Sequence, residues 1–194
     1  MKKLIGLNKI RTAIFISGKG SNLKSLIKFS LTKKSKFKIN LILSNNPNAK
    51  GLNLAKKFRI NKKVYNFSNA KIAENKILES LKKKKIKLIC LAGFMKILSK
   101  NFIKKFRGQI LNIHPSLLPK YKGLNTHEKA IENKDKYSGC TVHFVNSKLD
   151  SGKIILQKKV KIGKRDTSKT LAKKILKEEH LLYPKALIKI LPNL

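Results

Sequence analysis

Arg11-Thr12-Ala13-Ile14-Phe15-Ile16-Ser17-Gly18-Lys19-Gly20-Ser21-Asn22 is the stretch that decides the fold. Its first half is a short apolar run that reads as a buried strand, and its glycines turn the chain into a helical pattern over Asn22 to Phe29. A strand handed straight to a helix by a glycine turn opens a βαβ unit. The turn also brings free backbone N–H groups and a positive helix end to one point, which suits a phosphate or carboxylate. It is not a dinucleotide fingerprint: Leu23 stands where a third glycine belongs, and the next strand ends in Ser44-Asn45-Asn46 without an acidic residue. Nor is it a Walker loop, because no Gly-Lys-Ser/Thr follows four spacer residues.

Outward from this stretch, apolar runs and helical patterns alternate to the far end of the chain, the signature of a largely parallel sheet. Strands are expected over Arg11 to Ser17, Lys38 to Ser44, Lys63 to Tyr65, Lys87 to Ala92, Gln109 to Ile113, Gly139 to Val145 and Ile154 to Val160. Helices are expected over Asn22 to Phe29, Gly51 to Phe58, Ala70 to Leu81, Ser99 to Phe106, Thr126 to Asn133 and Ser168 to Leu191. Thr167 or Ser168 can cap the last helix, and Pro184 inside it predicts a break or kink. The last two strands are joined by Asn146 to Lys153, too short for a crossover helix, so they should pair antiparallel. The fold class is therefore α/β, a Rossmann-like, mostly parallel sheet with a C-terminal antiparallel hairpin and flanking helices.

At 194 residues the chain suits one domain, with a core from about residue 12 to 191. No apolar run approaches the roughly 20 residues of a membrane span, and Met1 to Ile10 is broken by Lys, Gly and Asn, so neither a span nor a signal peptide is expected. Cys90 and Cys140 sit in apolar strands without ligand spacing, which points to a reducing, cytoplasmic setting and to no metal site. The net charge of +38 is extreme and by itself suggests nucleic acid. Yet only Arg11, Arg59, Arg107 and Arg165 are arginines; the other 43 basic residues are lysines scattered over almost every expected element. Base and phosphate readers favour the arginine fork. The charge thus reads as compositional background, with no specific nucleic-acid partner.

The chemistry is concentrated in Leu111-Asn112-Ile113-His114-Pro115-Ser116-Leu117-Leu118-Pro119. On a strand, Asn112 and His114 share a face and can address one substrate atom, while Pro115 ends the strand where a site can open. An amide beside an imidazole suits the stabilisation of an oxyanion with movement of a proton. Asp150, in the turn Leu149-Asp150-Ser151-Gly152, can orient His114 and favour its charged form. Ile89 to Leu98 runs from a buried strand into an apolar turn that can line a flat pocket. Pro115 to Thr126 reads as a loop able to close over the site. His127 reads as a helix-start histidine, and His143, alternating with apolar neighbours, is given no role.

Taken together, Gly18 to Asn22, Leu91 to Met95, Leu111 to Pro119 and Leu149 to Gly152 resemble the phosphoribosylglycinamide formyltransferases, folate-dependent transformylases of purine synthesis. The resemblance runs from about Thr12 to Leu191 and implies the formyltransferase fold. It implies transfer of a formyl group from 10-formyltetrahydrofolate to the amine of 5-phosphoribosylglycinamide by a monomer or homodimer without a metal. By position, it implies that Asn112, His114 and Asp150 are catalytic, that Gly20, Ser21 and Asn22 hold the substrate phosphate, and that Glu179 binds the ribose hydroxyls. Folate contacts are implied for Lys71, Met95, Lys96, Ile97, Leu98, Asn112, Asn146, Ser147, Lys148, Leu149 and Asp150. Lys19 departs from the neutral Asn expected between the glycines, and Lys71 stands in for a family Arg. A methionyl-tRNA formyltransferase shares the Asn, His and Asp set but adds a C-terminal domain, and a formyltetrahydrofolate hydrolase adds an N-terminal one. From a different class, a basic nucleic-acid module without catalysis would not need Asn112, His114 and Asp150.

Overall fold

The computed structural model describes residues 9–193; the expectation drawn from Met1 to Ile10 lies, through Asn8, outside the described residues. Strands form at β1 (Ile10–Ile16), β2 (Phe37–Ser44), β3 (Lys62–Val64), β4 (Leu88–Leu91), β5 (Gln109–His114), β6 (Tyr137–Phe144) and β7 (Ile154–Lys161). Helices form at α1 (Ser21–Ser30), α2 (Leu52–Lys57), α3 (Ala70–Lys83), α4 (Lys100–Lys105), α5 (Thr126–Glu132) and α6 (Ser168–Ile190). The strands make one sheet in the order β3-β2-β1-β4-β5-β6-β7. Neighbouring strands from β3 to β5 run parallel, and β6 pairs antiparallel with both β5 and β7. The reversal thus begins at β6, one connection earlier than the expected hairpin: the connection through α5 returns to the carboxyl end of β5, where His114 pairs with Thr141, and β6 itself runs back down the sheet.

Alternation along the strands divides the core between two faces. Ile14 and Ile16 of β1 join a cluster with α1, α2, α5 and α6, represented by Leu23, Leu26, Ala55, Ala130 and Tyr183. Ala13 and Phe15 point the other way, into a cluster with Ile77 and Leu81 of α3 and Phe102 of α4. Both faces of the parallel strands are covered, which explains their near-continuous apolar sequence. Cys90 and Cys140 are buried as free thiols, and burial pushes both up to about 12. Among the described residues no helix is long and apolar enough to cross a membrane.

The expected break at Pro184 does not occur, and α6 runs through it. A proline cannot donate to the carbonyl four residues earlier, here that of His180. Ser25 of α1 replaces the missing donor, its hydroxyl donating to the His180 carbonyl at 2.6 Å. The helix start follows expectation: the Thr167 hydroxyl accepts from the Thr170 N–H, and the Thr170 hydroxyl accepts from the Thr167 N–H. Strand β6 begins at Tyr137, two residues before the expected Gly139, where Tyr137 pairs with Lys161 and lies under the Lys159 ammonium.

Candidate active site

Strand order reverses around β1 and β4, and loops leaving the carboxyl ends of β1, β4 and β5 build the site, as expected of an open α/β sheet. At β1 the chain passes through Ser17 and Gly18 into α1. Gly20 adopts φ +77°, and a Cβ there would meet the Gly51 Cα at 2.7 Å, so both the turn and the close approach of the α2 entry need glycine. No side chain caps α1. The first N–H to close a helical bond onto the Gly20 carbonyl belongs to Lys24, which leaves those of Ser21, Asn22 and Leu23 at the helix end. Lys19 is exposed.

Asn22 reaches from this turn to α6, where its amide nitrogen donates to Glu179 Oε2 at 2.6 Å. Burial pushes the Glu179 carboxyl up to about 7, against the lowering effect of the Asn22 bond. The Asn22 Oδ1 is buried without a partner. An unpartnered acceptor and a carboxylate side by side suit a ligand that brings hydroxyl donors next to an anionic group. The resemblance put phosphate at Asn22 and ribose hydroxyls at Glu179, and the fold brings those two residues together over 157 positions of sequence.

At the end of β5, Asn112 and His114 both meet Asp150, which sits in the β6–β7 turn with φ +44°, a left-handed conformation that Asp tolerates better than most residues. Gly152 completes that turn, because any Cβ on it would run into the Phe144 carbonyl. Asp150 Oδ2 lies 3.4 Å from His114 Nδ1 and accepts the Gly123 N–H at 2.9 Å. Its Oδ1 lies 3.4 Å from the Asn112 amide nitrogen and 3.6 Å from His143 Nε2. His114 Nε2 lies 2.8 Å from the Tyr121 carbonyl. Both nitrogens of His114 thus face oxygen acceptors, an arrangement that the doubly protonated ring satisfies.

His143, given no role from sequence, belongs to this cluster. It stands opposite Asn112 in the β5–β6 register, and its Nε2 is 3.3 Å from the Asn112 amide nitrogen. Burial lowers its pKa, more than the Phe144 carbonyl and Asp150 raise it. The Nδ1 must donate to the Phe144 carbonyl at 2.8 Å, so the neutral ring presents a lone pair on Nε2 to Asn112. The missing information was strand register: alternation shows that His143 faces one side of β6, but not which residue of β5 it faces. His127 is half-buried with an unpartnered Nδ1, and burial lowers its pKa, with a smaller contribution from His114.

Four of the residues expected to contact folate, Met95 to Leu98, lie in the segment after β4. Met95 and Ile97 are 67% and 73% exposed, so they offer apolar surface at the site. Leu98 is buried in the α3–α4 cluster, which leaves only its backbone for a ligand. Lys96 lines a cavity of about 590 Å³ together with Met95, Ser17, Asn45, Asn66 and Phe67. Asn146, Ser147, Lys148 and Leu149 are exposed in the turn that leads to Asp150. Lys71 is exposed in the first turn of α3. Among the described residues no group of three or more His, Cys, Asp or Glu side chains is placed to hold a metal ion.

Comparison with known proteins agrees with this geometry. A family model described as formyl transferase matches residues 10–187. A phosphoribosylglycinamide formyltransferase of Haemophilus influenzae is 43% identical over 177 residues, covering 90% of this chain and 84% of that protein. The human trifunctional purine biosynthetic protein adenosine-3 is 42% identical over 182 residues, but this chain spans only 18% of its length. A crystal structure of phosphoribosylglycinamide formyltransferase from Brucella melitensis superposes with a TM-score of 0.89 at 42% identity, covering 94% of this chain and 95% of that one. With Asp150 gathering Asn112 and His114 at the end of β5, and with the Haemophilus and Brucella relatives covered to 84% and 95% of their own lengths, this chain belongs to the phosphoribosylglycinamide formyltransferase family.

Proposed function

We propose that this chain transfers the formyl group of 10-formyltetrahydrofolate to the amine of 5-phosphoribosylglycinamide, giving formylglycinamide ribonucleotide and tetrahydrofolate. It acts as one cytoplasmic domain, a monomer or homodimer, and needs no metal. The observation that carries the proposal is the convergence of Asn112, His114 and His143 on the Asp150 carboxylate.

In this reading the phosphate sits on the N–H groups at the start of α1, held by Gly20, Ser21 and Asn22, and the ribose hydroxyls donate to Glu179. The folate lies along Met95 to Leu98 and the 146–150 turn, with Lys71 and Lys96 toward its anionic tail. The glycinamide nitrogen attacks the formyl carbon, and the carbonyl electron pair moves onto oxygen. Asn112 donates to that oxygen, and protonated His114 stabilises it. The Asn112 contacts to His143 and Asp150, at 3.3 and 3.4 Å, are long and are exchanged cheaply for a short bond to an oxyanion. The new ammonium gives up a proton through water held by Asp150. His114 supplies a proton to N10, the bond from carbon to N10 breaks, and tetrahydrofolate leaves. Asp150 holds the His114 ring in place between these steps, its Oδ2 3.4 Å from Nδ1.

The test is a spectrophotometric assay of purified protein with both substrates, run beside formyl-methionyl-tRNA formation and folate hydrolysis. Turnover that depends on phosphoribosylglycinamide is the expected result. Turnover only with tRNA or water would replace this reading with another formyl-folate enzyme. Polyanion binding with no turnover would leave a basic binding module.

A further inference from the structure

Ser17 lies between the two subsites of the proposed transferase, and all of its polar groups are engaged. Its N–H donates to the Gly93 carbonyl at 2.9 Å. Its hydroxyl accepts the Met95 N–H at 2.7 Å and donates to Asn45 Oδ1 at 2.5 Å. Its carbonyl accepts from the Asn46 amide at 3.2 Å. The next residue, Gly18, accepts the Gly51 N–H at 3.0 Å, inside the turn that leads to the α1 end.

The segment from Gly93 to Leu98 is therefore fixed at both ends. At its far end, the buried Glu74 of α3 accepts from both the N–H and the hydroxyl of Ser99, at 2.7 and 2.5 Å. At its near end Ser17 holds it by one backbone bond and one side-chain bond, beside the Phe94 ring, which packs edge-on against Phe15 and Phe67. Between the two anchors Met95 and Ile97 are exposed, while Phe94 and Leu98 pack inward against the α3–α4 cluster. Glycine at 93, with φ +74°, adds backbone freedom where the segment leaves β4.

We infer that Ser17 is a positioning residue: its hydroxyl sets the backbone of Met95 against the phosphate-binding turn and so holds the folate-lining segment in its binding shape. This rests on the proposed transferase reading. Ser17 does not touch the reacting atoms, so its loss should act on folate binding and not on the chemical step. Met95 is exposed, and water can take the orphaned N–H, which keeps the effect moderate.

The experiment is steady-state kinetics of Ser17→Ala and Ser17→Thr, varying each substrate separately, with thermal midpoints recorded in parallel. Ser17→Ala is expected to raise KM for 10-formyltetrahydrofolate about 3- to 10-fold. In the same variant kcat and KM for phosphoribosylglycinamide should stay within about twofold, because the N–H and carbonyl of residue 17 remain. Ser17→Thr keeps the hydroxyl and should return the folate KM to near that of the unaltered protein. An unchanged folate KM in Ser17→Ala would overturn the inference and leave the transferase reading intact. Equal losses in both KM values and kcat with a lowered thermal midpoint, unrelieved by Thr, would overturn it in favour of a general structural role. Absence of phosphoribosylglycinamide-dependent turnover in the unaltered protein would overturn both.

Discussion

The Asn112 amide nitrogen on β5 lies 3.3 Å from His143 Nε2 on β6, directly opposite it in the antiparallel register. The neutral ring with its proton on Nδ1 is the form that accepts from an amide, and burial favours that form. Half of the donor capacity of Asn112 is thereby aimed by a residue on the neighbouring strand.

His143→Ala is expected to lower kcat about 10-fold, the cost of one net hydrogen bond that orients Asn112. His143→Gln can offer a side-chain oxygen to the same amide and should recover part of the loss. Since burial lowers the pKa of His143, the ring is already neutral where ordinary histidines begin to charge. The acid limb of the kcat/KM profile should consequently stay in place in His143→Gln. A shifted acid limb would show that His143 itself titrates in the reaction.

His114→Ala should cost roughly 10²- to 10⁴-fold in kcat, the usual scale for general acid catalysis. Asp150→Asn should lose a similar order, because the His114 Nδ1 contact at 3.4 Å keeps its neighbour but loses the charge. The two residues act as a unit, so the double variant should be little worse than the poorer single one. Additive losses in single-turnover rates would mean that Asp150 works apart from His114.

The difference between what was legible in the sequence and what was not follows from the range of the interactions. Alternation and glycine turns are local, and they placed β1 and α1 within a residue or two. Asn112 and His114 were legible as a pair because two residues on one strand share a face wherever the strand lies. His143 was not, because its meaning depends on register against β5. The continuity of α6 through Pro184 was hidden for a similar reason: the helix-breaking rule is local, and its remedy, the Ser25 hydroxyl, reaches the His180 carbonyl across 155 positions of sequence. The joining of Asn22 to Glu179 was implied only by the family resemblance, and no spacing along the chain announces it.

Glu179 supplies a stability prediction with a definite sign. Its carboxyl is pushed up to about 7 in the folded protein from an ordinary value near 4.5, with burial as the cause. Between those two values the folded state binds more protons than the unfolded one, so stability falls as pH rises through the window. The protonated group is favoured below about 4.5, and the full penalty is present above about 7, on the order of 3 kcal/mol. Glu179→Gln removes the ionisation. The stability of the variant relative to the original protein should therefore increase from pH 4.5 to 7 in urea unfolding, while its KM for phosphoribosylglycinamide rises. A constant stability difference across that range would contradict the assigned shift.

The contact between Ser25 and His180 can be separated from ordinary packing by a double-mutant cycle. With Pro184 present, the His180 carbonyl has no helical donor, and Ser25→Ala leaves it with water at best; the expected loss is about 1–2 kcal/mol. For a chain of this size that corresponds to a fall of roughly 2–8 °C in the thermal midpoint. In a Pro184→Ala background the new backbone N–H at residue 184 can reach the same carbonyl, so Ser25→Ala should cost less than half as much. The coupling between positions 25 and 184 is then the energy of the replaced helical bond, read without reference to the active site. Equal costs of Ser25→Ala in the two backgrounds would show that Ser25 contributes through packing alone, and that α6 tolerates Pro184 for some other reason.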